Sequence, residues 1–143
     1  MDIGVAVAAH ARKNPSSTAA FDGDRQLSYA ELDERTNRLA NNLHGRYGVA
    51  KGDRVAVLLR NRLEVAEAIV AVTKAGGVYC VLNFRMSLDE YRSIFTNAEP
   101  KVLITEAGFA EYAQTLAAEF GVAVLDVDDP SPSGYGCLAD ASP

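Results

Sequence analysis

The chain holds few side chains whose type and spacing could do chemistry. Arg60-Asn61-Arg62 follows an apolar run and could offer two cations to an anion. Arginines at a strand end more commonly face solvent, so the pair is read as a solvated edge. Gly76-Gly77 sits after a helical stretch and before a strand. A phosphate-cradling turn needs the opposite order, strand, glycines, then helix N-terminus, so these glycines are not read as a phosphate loop. Ser16, Ser17 and Ser28 have no base near them in sequence. His44 could transfer a proton, but nothing adjacent would pair with it. His10 is read as a surface or packing residue rather than a ligand. Asp128-Asp129 could bind a divalent ion but is read as a solvated acidic tail. The two cysteines, Cys80 and Cys137, lie far from both histidines, so no metal-ligand spacing exists. Cys80 is expected to be a small core hydrophobe. No residue is therefore assigned a catalytic, cofactor-binding or metal role.

The elements that would position these side chains are clearer. Gly52 to Asn83 reads as strand, helix, strand: an apolar run at Arg54–Leu59, a helical run from Leu63 to Ala75, and a second apolar run at Val78–Leu82. Neither strand alternates polar with apolar, which predicts strands buried on both faces of a parallel sheet. The helix is apolar almost all round, which predicts burial on several sides and suggests that covering structure is missing. Ahead of this unit, Ile3 to Arg12 reads as a short helix stopped at Asn14-Pro15. Thr18–Phe21 and Arg25–Leu27 flank Asp22-Gly23-Asp24 as a hairpin. Ser28-Tyr29-Ala30-Glu31 forms a capping box for a helix with Leu32, Thr36, Leu39, Ala40, Leu43 and Tyr47 on one face.

After the central unit, Ser87-Leu88-Asp89-Glu90 repeats the capping box and Pro100 stops that helix. Lys101–Thr105 is a strand, Gly108–Phe120 a helix capped by Gly121, and Val122–Val127 a last strand. The fold class is thus α/β, a mostly parallel sheet of consecutive β-α-β crossovers with a small N-terminal hairpin. Residues 1–127 form the α/β unit. Residues 128–143 have the Pro/Ser/Gly composition of a linker-like or disordered tail.

Composition narrows the partners. The chain has 143 residues, 48% of them apolar, and a formal charge of -5 with no basic cluster interleaved with aromatics, which argues against nucleic acid. No run approaches the ~20 apolar residues of a transmembrane helix. The N-terminal apolar segment lacks a preceding basic region, so a signal peptide is not expected. Sparse cysteine points to a reducing, cytoplasmic setting.

Several stretches, taken in order, resemble the adenylate-forming (AMP-binding) superfamily, which includes acyl-CoA synthetases, peptide-synthetase adenylation domains and luciferases. Leu27-Ser28-Tyr29-Ala30-Glu31-Leu32 is similar to its first core motif. Thr73-Lys74-Ala75-Gly76-Gly77-Val78-Tyr79-Cys80-Val81-Leu82-Asn83 resembles the second, LKAG-x-x-Y-x-P-L followed by Asn or Asp. Gly52-Asp53-Arg54-Val55-Ala56-Val57 fits the segment between them, and Asn83-Phe84-Arg85 and Lys101–Thr105 continue the likeness. Val81 stands where the family carries Pro, and Arg60-Asn61-Arg62 where it carries Pro-Asn-Ser. Asn83, where peptide-synthetase domains usually have Asp, leans toward acyl-CoA synthetases.

The resemblance implies a reaction in which a carboxylate attacks the α-phosphate of ATP with Mg2+, releasing pyrophosphate, and the acyl-adenylate then passes to a thiol, commonly coenzyme A. It also implies that the Ser/Thr/Gly-rich phosphate loop, the adenine and ribose contacts and the adenylation lysine lie outside this segment. The expectation is an N-terminal fragment of a fatty or aromatic acid–CoA ligase, inactive alone and needing no cofactor itself. ATP, Mg2+ and coenzyme A would serve the parent enzyme. Its partners would be the remainder of the parent polypeptide and, for the parent, a carboxylic acid, with self-association following from uncovered apolar surface. The alternatives are part of a carrier-protein-loading adenylation domain, or a stand-alone non-catalytic binding domain. Arg85 and the Arg60/Arg62 pair are the cations to test against nucleotide or coenzyme A phosphates.

Overall fold

The computed structural model describes residues 2–132 and 134–140, without the side chains of Cys137 and Asp140. The expectation that Cys137 takes no part in a metal site therefore lies outside the described residues. In chain order the elements are α1 (Ile3–Lys13), β1 (Thr18–Asp22), β2 (Arg25–Ser28), α2 (Tyr29–Gly45), β3 (Arg54–Leu58), α3 (Leu63–Lys74) and β4 (Val78–Val81). Then follow α4 (Leu88–Ala98), β5 (Val102–Thr105), α5 (Ala110–Phe120), β6 (Ala123–Asp126) and α6 (Tyr135–Asp140). β1 and β2 pair antiparallel with Gly23 at φ 58° in the turn, and the other four strands form a parallel sheet in the order β4-β3-β5-β6.

Strand alternation divides the core into two layers. On one face Val55, Val57, Val102 and Ile104 meet Leu39 and Leu43 of α2 and Ala68, Ala71 and Val72 of α3. On the other face Ala56, Leu58 and Leu103 meet Tyr91 and Phe95 of α4 and Leu116 of α5. Both capping boxes form as read: Ser28 accepts from the Glu31 N–H and Ser87 from the Glu90 N–H, and each glutamate returns the bond. A cap of this kind contributes ~1 kcal/mol.

Three expectations are corrected. β4 is not buried on both faces: it is an edge strand, and Val78, Tyr79 and Val81 are 50%, 44% and 53% exposed. Cys80 is accordingly half-buried, packed against the α4/α5 layer. Next, α3 does not lack cover. None of its residues is fully exposed, because α2 lies along it and α1 and β1 close over the side turned away from the sheet. Its apolar character is answered largely within the chain, with Val65, Ala66 and Ile69 left half-buried along a groove beside α1 and β1. Finally, residues after 127 are not simply linker-like. Tyr135, Leu138 and Ala139 of α6 are buried, and Tyr135 and Leu138 join the α2/α3 layer. The Asn42 side-chain amide on α2 donates to the Leu138 carbonyl at 3.1 Å.

The Thr73–Gly77 stretch has a geometric role. The Lys74 ammonium, at the end of α3, donates to Asp33 Oδ1 at 2.7 Å and to Thr36 Oγ1 and Asn37 Oδ1 at 2.9 Å, pinning α3 to α2. Gly76 takes φ +83°, and a Cβ on Gly77 would come within 3.1 Å of the Asp53 carbonyl and of Val72. Only glycine suits that turn, where the chain leaves α3 and enters β4 against the Asp53 backbone.

Candidate functional site

In an open parallel sheet, ligands bind outside the carboxyl ends of the strands, where the strand order reverses. Here the chain leaves β3 for β4 on one side and then returns to β5 on the other, so the reversal lies between β3 and β5. The segments that emerge there carry Arg60, Asn61 and Arg62 after β3, Glu106 after β5, Asp128 after β6 and Asn83-Phe84-Arg85 after β4.

The chain fills that crevice with its own charges. Glu106, nearly buried, accepts from the Arg60 backbone N–H at 2.8 Å and from the Arg60 guanidinium at 3.1 Å. The same guanidinium lies 4.6 Å from the centre of the Phe109 ring. Arg62 donates to Glu64 at 2.9 Å and to Asp128 at 2.9 and 3.1 Å, and Arg25 reaches Glu64 from the hairpin at 2.6 Å. Asp128 also accepts from the Ala107 N–H at 3.0 Å. The arginines read as a solvated edge are thus the centre of an ion-pair network that ties β3, α3, the hairpin and the end of β6 together. Their carboxylate partners lie far off in sequence, apart from Glu64 beside Arg62.

Charge states follow from these contacts. Hydrogen bonds from Arg62 hold the Asp128 carboxyl below its ordinary value, against a smaller effect of burial. Burial pushes Glu64 up, but Arg62 and Arg25 together outweigh it and the carboxyl titrates below its usual range. Glu67, one turn along α3, goes the other way: burial outweighs the Arg35 guanidinium at 2.6 Å and raises it. The Tyr135 hydroxyl is buried with no hydrogen-bond partner among the described residues, and burial raises it well above the usual phenol value.

The remaining candidates fall outside the crevice or into structural roles. Arg85 is exposed, stands 5.6 Å from the Phe84 ring centre, and forms no ion pair among the described residues. Its backbone N–H donates to Asn83 Oδ1 at 2.9 Å, while the Tyr91 hydroxyl donates to the Asn83 carbonyl at 2.8 Å, so Asn83 shapes the turn that presents Arg85. Asp129 accepts from the Ser131 N–H and hydroxyl, and Asp128 is held by Arg62. Among the described residues no group of three or more His, Cys, Asp and Glu is placed to hold a metal ion. His44 Nδ1 lies 3.0 Å from the Val49 carbonyl, and His10 stacks on Tyr29 with ring centres 5.0 Å apart. The Ser131–Asp129 contact is between residues two apart and closes its own turn.

The buried charges Glu64, Glu67 and Glu106 were not singled out in the sequence. The first two lie on the apolar helix α3 one turn apart, and that spacing was the available signal.

Residues 7–142 match the AMP-binding family, described as AMP-binding enzyme. The chain is 36% identical over 140 residues to a medium/long-chain-fatty-acid–CoA/3-oxocholest-4-en-26-oate–CoA ligase of Mycobacterium marinum, covering 90% of this chain and 25% of that protein. It is 41% identical over 133 residues to a feruloyl-CoA synthase of Amycolatopsis sp, covering 93% and 26%. The N-terminal domain of FACL13 from Mycobacterium tuberculosis superposes with a TM-score of 0.85 at 28% identity, covering 99% of this chain and 37% of that one. The chain spans about a quarter of the length of these two ligases.

Proposed function

The chain belongs to the AMP-binding enzyme family, and from that premise we propose that it is the N-terminal segment of an ATP-dependent acid–CoA ligase. The whole protein would activate a fatty or aromatic carboxylic acid as its acyl-adenylate, releasing pyrophosphate. The coenzyme A thiol would then displace AMP to give the thioester. The observation that carries this reading is the family match over nearly the whole chain, joined to relatives named as CoA ligases of fatty, steroid-derived and feruloyl acids.

The turn after β3 and the ion-pair network at the carboxyl rim do not fit a triphosphate or Mg2+. The turn after β3 carries no glycine and α3 begins with no side-chain cap hydrogen bond. Its charges are spent on one another, and Asp128 is engaged by Arg62. No step is therefore assigned to residues of this segment. They support the fold, and the isolated chain is inactive in this proposal. Of Arg60, Arg62 and Arg85, Arg85 alone forms no ion pair among the described residues, so it is the residue offered to a phosphate of the nucleotide or of coenzyme A. A cytoplasmic location belongs to the same reading, supported by the free thiol of Cys80. No helix among the described residues is long and apolar enough to cross a membrane.

The test is a substrate screen of the intact ligase with ATP, Mg2+, coenzyme A and a panel of fatty and cinnamic-type acids. Thioester formation with at least one class is expected, and Arg85→Ala should raise KM for a phosphate-bearing substrate with little change in fold. Transfer only to a carrier protein, or no adenylate with any acid, would contradict the proposal.

A further inference from the structure

β4 ends the parallel sheet with an open backbone edge. The Val78 N–H donates to the Asp53 carbonyl at 2.8 Å and the Leu82 N–H to the Val57 carbonyl at 2.9 Å, so residues 78, 80 and 82 turn their backbone groups toward β3. By strand alternation Tyr79 and Val81 turn theirs outward, where no strand meets them among the described residues. The side chains of Tyr79 and Val81 share one face of the sheet, 44% and 53% exposed, and the half-buried Cys80 lies on the other.

Edge strands are ordinarily guarded against pairing by proline, lysine, a bulge or a covering element. Val78–Val81 holds no proline and no charge, and its register with β3 runs without a bulge. Val81 stands where the second family motif carries proline, which has no N–H to donate. A fold that accepts proline there makes no use of a donor at that place, so the rest of a parent polypeptide does not claim the Val81 N–H. The exchange of proline for valine leaves this chain an outward donor to spare.

We propose that β4 pairs antiparallel with β4 of a second copy, across a two-fold axis at Cys80, making the two sheets one. The outward groups are self-complementary in this register. Tyr79 exchanges both its backbone hydrogen bonds with the partner's Val81, and Val81 with the partner's Tyr79. Each Tyr79 ring then lies on the same face as the partner's Val81, an aromatic–β-branched cross-strand pair. Cys80 faces the partner's Cys80 as a pair without hydrogen bonds, with Cα atoms ~4.5 Å apart, a separation that a disulfide spans. An unrelated strand would have to bring a matching alternation of its own, whereas a second copy brings it by symmetry.

Sedimentation equilibrium of the 143-residue chain up to ~1 mM, beside oxidation of a Cys137→Ser chain with diamide, tests this. A reversible dimer is expected, and diamide, taking two protons and two electrons from the thiols, should link Cys80 to the partner's Cys80. Val81→Pro should weaken the dimer ~10-fold or more and suppress the cross-link, because the two-fold axis removes the donor twice. Circular dichroism should show an unchanged fold, since the Val81 N–H takes no part in the pairing with β3. Phe21→Asp, on the exposed hairpin, should leave the dimer intact. A monomer at every concentration, a dimer that Val81→Pro does not weaken, one lost with Phe21→Asp, or one that gives no Cys80 cross-link would overturn the proposal.

Discussion

The two rims of the parallel sheet are built from opposite materials. At the amino rim most contacts end on backbone carbonyls, with one side-chain ion pair, Lys101 to Asp53 at 3.4 Å. The Gly52 N–H donates to the Gly76 carbonyl at 2.9 Å, the Val78 N–H to Asp53 at 2.8 Å, and the Lys101 ammonium to the Gly48 carbonyl at 2.7 Å. At the carboxyl rim, side-chain charge meets side-chain charge among Arg60, Arg62, Glu64, Glu106 and Asp128. Of the stretches that carry the family likeness, Gly52–Val57 and Thr73–Leu82 fall at the amino rim and on the β3 and β4 strands it feeds. The rim where chemistry would be expected carries locally paired charge. Motifs can therefore mark where chain segments approach too closely for other residues, and not where substrates bind.

The largest effect that would sharpen this contrast lies at the amino rim. Gly77→Val should destabilise the chain by ~3 kcal/mol, because a branched side chain would press on the Asp53 carbonyl, Val72 and Val49. Urea midpoints measure it, and a loss near zero would mean the turn has room that the geometry denies. At the carboxyl rim, Glu106→Ala leaves the Arg60 N–H and guanidinium without their acceptor and should cost ~2 kcal/mol by the same assay. Equal tolerance to loss of Glu106 and of a surface glutamate would show that the network does not hold the rim.

The network also has a pH signature. Asp128 and Glu64 titrate below their ordinary values, so their contribution is present above the unfolded carboxylate range near pH ~4 and is lost as pH falls through the lower folded values. Glu67, raised by burial, acts in the opposite sense and gains as it protonates. Arg62→Met should therefore flatten the decline of stability below pH ~4. An unchanged acid limb in urea titrations at stepped pH would remove Arg62 from the account. The smallest effect is expected in the helical layer. Tyr135→Phe deletes a buried hydroxyl with no partner and should stabilise by up to ~1 kcal/mol. A loss of stability would show that the hydroxyl has a partner, such as a bound water.

Much of this was legible from residue order. Both capping boxes, the hairpin and the β-α-β repeat form because their signals are local: a Ser three residues before a Glu, a glycine in a turn, apolar runs of strand length. The edge position of β4 was not legible, since Val78–Val81 reads as apolar whether a strand lies beside it or not. The carboxyl rim was hidden for a related reason: Arg60 meets Glu106 and Arg62 meets Asp128 only because parallel strands bring their ends together. The tail misled through composition. Its Pro, Ser and Gly content masked Tyr135, Leu138 and Ala139, whose spacing of three and then one is that of a helix face.

The central claim is that this segment carries the family's architecture without its chemistry. Pyrophosphate exchange into ATP by the purified 143-residue chain, offered fatty and cinnamic-type acids with Mg2+, tests it most directly. The account predicts a folded protein, by circular dichroism, with exchange no faster than a blank for every acid. Acid-dependent exchange above the blank would mean that residues of this chain do bind and activate ATP, and the structural reading of the carboxyl rim would be wrong.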